Sequence, residues 1–128
     1  MKALLVSSSQ AVRENMAVAV AAVQRRTGEP LEFFEATNGE LAVRAAWRER
    51  ADIVVADEMA SRAGAFAMAR DLRGAQEPFP GVIVILLDRP QDGWLANWSG
   101  ADAWFVKPFD PFELADTMVE LLTTKETA

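Results

Sequence analysis

One uninterrupted apolar run, GVIVILLD at residues 81–88, constrains the fold of this chain most strongly. A strand that is apolar without alternation suits a central place in a parallel sheet, where helices cover both faces. Further runs at residues 2–7, 31–37, 51–57 and 103–107 predict four more strands. Strands that alternate with helices in one chain predict an α/β domain with a parallel sheet and right-handed crossovers.

The stretches between these runs have helical patterns. Val12, Met16, Val20 and Val23 recur at helical spacing in the first stretch. The predicted helices lie between Ser9 and Gly28, from Asn38 to about Arg50, at 64–73 after a loop, near 91–98, and from Pro111 to about Leu122. The last helix places Phe112 on the same apolar face as Ala115, Met118 and Leu122, so we expect Phe112 to be buried.

Composition excludes several classes of function. The 128 residues suit one domain spanning 1–128, and they include no Cys and no His, which excludes disulfides, thiolate or imidazole metal sites and imidazole acid–base chemistry. A net charge of −6 with thirteen scattered Lys and Arg residues argues against a nucleic-acid partner. No apolar stretch is long enough for a membrane span and no secretory signal is visible, so we expect a cytoplasmic protein.

The carboxyl ends of the predicted strands define the candidate site, because these ends meet at one edge of a parallel sheet. They supply three serines after the first strand, Asp57 after the third, Leu86 to Asp88 after the fourth and Lys107 after the fifth. Asp57 and Lys107 have opposite charges and are expected to meet. Pro108 fixes the backbone beside Lys107 and is a candidate for a cis peptide bond.

Four stretches in their order and spacing resemble the receiver domains of two-component response regulators: LLVSSSQAVRENM, EATNGELAVRAA, ADIVVADEMASRAGAFAMARDLR and GADAWFVKPFDPFEL. The resemblance covers essentially the whole chain. It implies a flavodoxin-like (βα)5 three-layer sandwich with a five-stranded parallel sheet in the order 2-1-3-4-5. It also implies that Asp57 is at the position of the phosphoacceptor and that Lys107 is at the position of the lysine that contacts the phosphoryl group.

The sequence departs from the family pattern at the other functional positions. Ser7 and Ser8 replace the acidic pair that holds Mg²⁺, and Leu86 or Leu87 replaces the switch Thr or Ser. Because Mg²⁺ prefers carboxylate oxygens, we expect its binding to be very weak or absent, with no metal ligands and no cofactor. Trp104 occupies the aromatic switch position, where its size hinders rotation, so we expect a fixed switch.

The remaining carboxylates near the strand ends are not expected to restore the metal site. Glu58 follows Asp57 directly, and side chains alternate along a strand, so Glu58 is predicted to point away. Asp88 is expected to be a helix cap or a loop carboxylate.

An aromatic surface is the second functional candidate. The family commonly binds partners through the face formed by the fourth helix, fifth strand and fifth helix, which here carries Trp94, Trp104 and Phe109. Trp98, like Phe112, is instead expected to be a core residue. A homodimer through the Trp104 face is one form that binding through this surface would take.

These observations favour a phosphorylation-independent receiver domain that acts as a protein-interaction module in bacterial signalling, without catalytic residues or enzymatic activity. One alternative is a phosphoacceptor that uses Asp57 with a weakened metal site. Another is a small-ligand module with a pocket between Ser8, Asp57 and Lys107. The sequence does not distinguish a whole protein from a domain of a longer one.

Overall fold

The computed structural model describes residues 1–58 and 64–127, and side chains as far as residue 124. Its strands are β1 (Lys2–Val6), β2 (Glu32–Ala36), β3 (Ile53–Asp57), β4 (Val82–Leu87) and β5 (Ala103–Val106). Its helices are α1 (Gln10–Thr27), α2 (Gly39–Arg48), α3 (Ala65–Arg73), α4 (Gly93–Ser99) and α5 (Pro111–Thr127), with a 3₁₀ turn at Pro90–Asp92. Residues 59–63, in the loop expected before α3, lie outside the described residues.

The strands form one parallel sheet in the order β2-β1-β3-β4-β5, which confirms the predicted flavodoxin-like fold. All six residues of β4 are buried, as the uninterrupted apolar run predicted. Ile83, Ile85 and Leu87 face a core made with α2, α3 and α4, while Val82, Val84 and Leu86 face a core made with α1 and α5. The sheet is therefore the middle of three layers.

The predicted helix ends are largely confirmed by capping contacts. Ser9 caps α1 by accepting a hydrogen bond from the backbone N–H of Val12, and Asn38 caps α2 in the same way through Leu41. Gly28 ends α1 with a φ of 72°, a conformation that glycine adopts without steric cost. Helix α5 extends to Thr127, beyond the expected end, because no Gly or Pro follows Leu122 to stop it.

The predicted burial of Phe112 is wrong. The buried stripe of α5 consists of Leu114, Ala115, Met118 and Leu122. At 3.6 residues per turn, Phe112 lies about a quarter-turn away from the centre of this stripe. Half of its surface is exposed.

The predicted burial of Trp98 is also wrong. Helix α4 turns the small residues Gly93, Ala96 and Ser99 toward the core, so Trp94 and Trp98 occupy the opposite side. The guanidinium of Arg70 lies 4.3 Å from the ring centroid of Trp98 and covers part of that ring. Phe109, expected on the partner face, is instead partly buried against the core made with α1 and α5.

Among the described residues, none of the helices combines the length and apolar character needed to cross a membrane.

Candidate functional site

Three polar side chains extend the sheet face that α1 and α5 cover. Ala3 and Leu5 of β1, and Ile53 and Val55 of β3, are buried in that core, so alternation directs Ser7 and Asp57 toward the same side. Lys107 follows Ala103 and Phe105 on β5 with the same alternation. The carboxyl ends of β1, β3 and β5 thus bring Ser7, Asp57 and Lys107 together.

The Asp57 carboxylate has a partner on each oxygen. Lys107 Nζ donates to Oδ1 at 2.5 Å, and the Ser7 hydroxyl donates to Oδ2 at 2.8 Å. Asp57 is only 2% exposed and Ser7 is fully buried. The predicted meeting of Asp57 with Lys107 is therefore present in the structure, and a serine completes it.

Lys107 is shared between two carboxylates. Its Nζ lies 2.5 Å from Asp57 Oδ1 and 2.9 Å from Asp88 Oδ1. Burial opposes the ammonium charge, but the hydrogen bonds and negative charges of Asp57 and Asp88 outweigh it and raise the pKa of Lys107 above its ordinary value. The peptide bond between Lys107 and Pro108 is cis. Asp88 lies in the loop after β4, as the second of its two expected roles had it, and there it pairs with Lys107. It is not a helix cap, because Arg89 is the residue that precedes the 3₁₀ turn.

Ser7 connects the ion pair to the start of α1. Its hydroxyl accepts the backbone N–H of Ser9 at 3.0 Å while it donates to Asp57, so both functions of the hydroxyl are in use. Its carbonyl accepts a 2.7 Å hydrogen bond from Arg13 Nη1, and Arg13 Nε pairs with Glu35. Sequence reasoning did not identify Arg13, although its place one turn into the helix after the serines was a usable signal.

Glu58 does not join the Asp57–Lys107 pair. Its carboxylate accepts the backbone N–H of Asp88 at 2.7 Å, which holds the loop after β4. Burial, and the nearby negative charges of Asp92 and Asp88, raise the pKa of Glu58, although the hydrogen bond from Asp88 opposes this. Ser8, the second serine, is exposed.

No model of a known protein family matches the chain. An uncharacterised response regulatory protein of Mycobacterium tuberculosis is 34% identical to it over 92 residues, which are 72% of this chain and 68% of that protein. The alkaline phosphatase synthesis transcriptional regulatory protein PhoP of Bacillus subtilis is 30% identical over 97 residues, covering 76% of this chain and 40% of PhoP. The structure is similar to that of the chemotaxis protein CheY4 of Vibrio cholerae, with a TM-score of 0.74, 25% identity and coverage of 93% of this chain and 96% of CheY4.

The chain belongs to the response regulators of two-component signalling. The described residues form a receiver domain, which is a signalling module. Asp57 is the last residue of β3 and Lys107 directly follows β5, and their roles as phosphoacceptor and phosphoryl contact stay what the resemblance implies.

The structure separates the two leucines at the switch position of the receiver domain. Leu86 lies on the face of Asp57, toward α1 and α5, whereas Leu87 lies on the opposite face, toward α2, α3 and α4. Trp104 alternates with Ala103 and Phe105 and therefore lies on the same face as Leu87. Of the two leucines, Leu87 is therefore the one that shares a face of the sheet with Trp104. It is fully buried.

Trp104 packs against Gly93 at the start of α4. A Cβ atom on Gly93 would lie 2.5 Å from Cζ2 and 2.8 Å from Cε2 of the Trp104 ring. No side chain larger than hydrogen fits at residue 93 unless the ring moves. Trp104 is 37% exposed, so one side of the ring packs on the backbone and the other faces solvent.

We expect Asp57→Ala to lower the free energy of unfolding by about 1–3 kcal/mol, because the Ser7 hydroxyl and the Lys107 ammonium both lose their buried acceptor. Lys107 keeps Asp88, so the loss should be smaller than for a lysine left without any partner. Asp88→Ala should lower the free energy of unfolding by less than Asp57→Ala does. Its effect should be larger when Asp57 is already replaced, because Lys107 then loses its second carboxylate. Urea unfolding of the two single variants and the double variant measures this coupling, and an unchanged stability of Asp57→Ala contradicts the account.

Alkaline pH should weaken the fold through Lys107. The raised pKa means that protonated Lys107 stabilises the folded state below its ordinary pKa of 10.5, and that this stabilisation is lost as pH rises through the folded-state value. The chain has no Tyr and no Cys to titrate in the same range. The difference in unfolding free energy between wild type and Lys107→Met should therefore narrow as pH rises above about 10. A difference that stays constant in urea titrations, or an equal narrowing for Lys2→Met, would contradict this.

Proposed function

We propose that this receiver domain works without phosphorylation and acts as a protein-interaction module. The observation that carries the proposal is the saturation of Asp57, whose two carboxylate oxygens are bound by Ser7 and Lys107. A phosphoryl group on either oxygen has to displace one of these buried partners. The ion pair with its serine therefore holds the domain in one conformation.

The donor set around Asp57 does not fit Mg²⁺. Among the described residues, no group of three or more acidic side chains is arranged to hold a metal ion. The hydroxyl at residue 7 is turned toward Asp57 as a donor, and a hard divalent cation prefers negatively charged oxygen ligands. Phosphoryl transfer to a carboxylate depends on such a cation to neutralise the developing charge.

Two cations already lie at this end of the sheet. Lys107 occupies the space between Asp57 and Asp88, and the Arg13 guanidinium is bound to the Ser7 carbonyl. Their positive charge takes the electrostatic place of a metal ion and opposes the entry of another cation. These two charges support a site that does not bind a metal ion.

The switch side chains support the same proposal. Leu87 has no hydroxyl that a phosphoryl group could draw inward, and its side chain fills the core on that face. Trp104 is packed on Gly93, so rotation of its ring would give up this close contact. In our proposal, neither part of the family's conformational change takes place, neither the inward movement of a hydroxyl nor the rotation of the aromatic ring.

The tryptophan surface, formed by Trp94, Trp98 and Trp104, is the proposed contact surface. Trp94 and Trp98 lie four residues apart on the outer side of α4, and Trp104 packs against the first residue of the same helix. The three side chains are 65%, 55% and 37% exposed. Large aromatic side chains of this kind are the usual anchors of protein interfaces. Response regulators interact with partner proteins, and we place that interaction here.

One observation favours a second candidate function. The direct contact between Asp57 and Lys107 brings together the two residues to which the resemblance gives the phosphoacceptor and phosphoryl-contact positions. A domain that accepts phosphate slowly on Asp57 is therefore the alternative. The third interpretation, a ligand pocket between Ser8, Asp57 and Lys107, has no comparable support, because the ion pair occupies that space.

Millimolar Mg²⁺ followed by beryllofluoride, a mimic of the phosphoryl group, should leave the backbone amide NMR signals of Asp57, Lys107 and Trp104 unshifted. The same titration of Ser7→Asp/Ser8→Asp should produce saturable shifts, because the variant restores two carboxylates beside Asp57. Asp57→Asn is the matched control in which any specific shift must vanish. Wild-type shifts that disappear in Asp57→Asn would instead identify a live phosphoacceptor.

Self-association should occur through the tryptophan surface. We expect Trp94→Ala/Trp98→Ala to shift the wild-type dimer toward monomer in sedimentation velocity, with a change of about 1 kcal/mol or more in stability of the complex. Phe33→Ala is the control, because Phe33 is a 44% exposed aromatic side chain on β2 at the other edge of the sheet. A wild-type chain that remains monomeric at every concentration contradicts the homodimer, and equal effects of the control variant contradict the assigned surface.

A further inference from the structure

A cavity of about 530 Å³ opens at the amino-terminal edge of the sheet, opposite to the edge that carries Asp57. Its walls come from the end of α2, the residues that lead into β3 and β4, and the last turns of α5. Its main lining side chains are Trp47, Arg50, Asp52, Phe79, Pro80 and Leu122. The size and the mostly apolar lining with few polar groups are typical of small-molecule sites.

The aromatic wall of this cavity is built rigidly. The rings of Trp47 and Phe79 meet edge to face, with centroids 5.4 Å apart and an interplanar angle of 89°. Phe79 is only 2% exposed, and its ring lies so close to Gly81 that a Cβ there would come within 2.5 Å of it. Arg73 Nη1 fixes the same segment by donating to the carbonyls of Phe79 at 2.6 Å and Gly81 at 2.9 Å. A wall that is ordered in advance loses little entropy when a ligand binds.

Arg50 supplies a cation at the cavity. Its backbone has a φ of 52°, the left-handed region where glycine is the usual residue, and yet the chain carries a long charged side chain there. Among the side chains that the structure describes, Arg50 makes no ion pair or hydrogen bond. The other charged groups of the lining are bound within the chain. Asp52 accepts the backbone N–H of Lys2 at 2.8 Å, and the Met1 ammonium donates to the carbonyl of Pro30 at 3.3 Å. The guanidinium is therefore the charged group at the cavity that is left for a ligand.

We propose that this cavity binds a small planar apolar acid, with its ring system against Trp47, which Phe79 supports from the core, and its carboxylate on Arg50. Aromatic walls favour a flat apolar body, and a planar guanidinium binds a carboxylate through two parallel hydrogen bonds. The site is separate from the Asp57 edge and does not depend on the function proposed above.

The test uses 2-naphthoate as the probe and the full chain as the protein, with the indole N–H signal of Trp47 followed by NMR and assigned with Trp47→Phe. We expect saturable binding of 2-naphthoate and at least about tenfold weaker binding of neutral 2-naphthamide. Arg50→Gly should weaken 2-naphthoate binding by a similar factor. This variant suits the left-handed backbone, so its melting temperature should stay near that of wild type.

Arg48→Gln is the matched control. Arg48 is the last residue of α2, two residues before Arg50, and its side chain is 69% exposed. Its Nε lies 3.9 Å from Glu49 Oε1, and its loss should not change binding. Equal binding of acid and amide, unchanged binding by Arg50→Gly, or no saturable shift at Trp47 would overturn the proposal. A shift of the Trp47 signal that depends on protein concentration, without 2-naphthoate, would assign the cavity to a second copy of the chain. That result would also overturn the proposal.

Discussion

The buried carboxylate of Asp57 is the constraint on which the candidate site depends. A buried charge is costly unless it is paired and hydrogen-bonded. Lys107 supplies the opposite charge, and the Ser7 hydroxyl satisfies the second oxygen. These three residues lie at the carboxyl ends of β1, β3 and β5, which the parallel strand order brings to one edge of the sheet, so the fold positions the ion pair. In our proposal, the pair is also the reason that a metal cation does not bind at the carboxyl edge of this sheet.

The two ends of the molecule differ in chemical character. The carboxyl edge has charges that neutralise one another within the chain, through Asp57, Lys107 and Asp88. The amino-terminal edge has a cavity with aromatic walls and the cation of Arg50. The tryptophan surface lies beside the carboxyl edge, where α4 presents its large side chains to solvent because its small ones face the core. The domain thus keeps the family fold, and the surfaces that we propose for recognition are rich in aromatic side chains.

Sequence reasoning recovered the alternation of strands and helices because the apolar runs and the caps are local signals, whereas the strand order came from the resemblance to receiver domains. It also predicted the meeting of Asp57 and Lys107, since parallel strands end at the same edge. It could not choose between Leu86 and Leu87, because a shift of one residue moves a side chain to the other face, and only the strand pairing fixes that choice.

Contacts made by long side chains were not predictable from local pattern. Arg73 reaches the carbonyls of Phe79, Gly81 and Gly100 and the carboxylate of Asp102, and nothing in its helical spacing indicates this. The error at Trp98 has a similar origin. A helix as short as α4 gives little periodicity, so its buried face could be assigned only once the positions of Ala96 and Ser99 were known.

The central claim is that Lys107 and Ser7, which bind the two carboxylate oxygens of Asp57, keep this residue from being phosphorylated. It is tested most directly by incubating the domain with acetyl phosphate and Mg²⁺ and measuring phosphoaspartate by intact mass. The account predicts no added phosphoryl group on the wild type under conditions that modify Ser7→Asp/Ser8→Asp. Stoichiometric modification of the wild type that is lost in Asp57→Asn would contradict it.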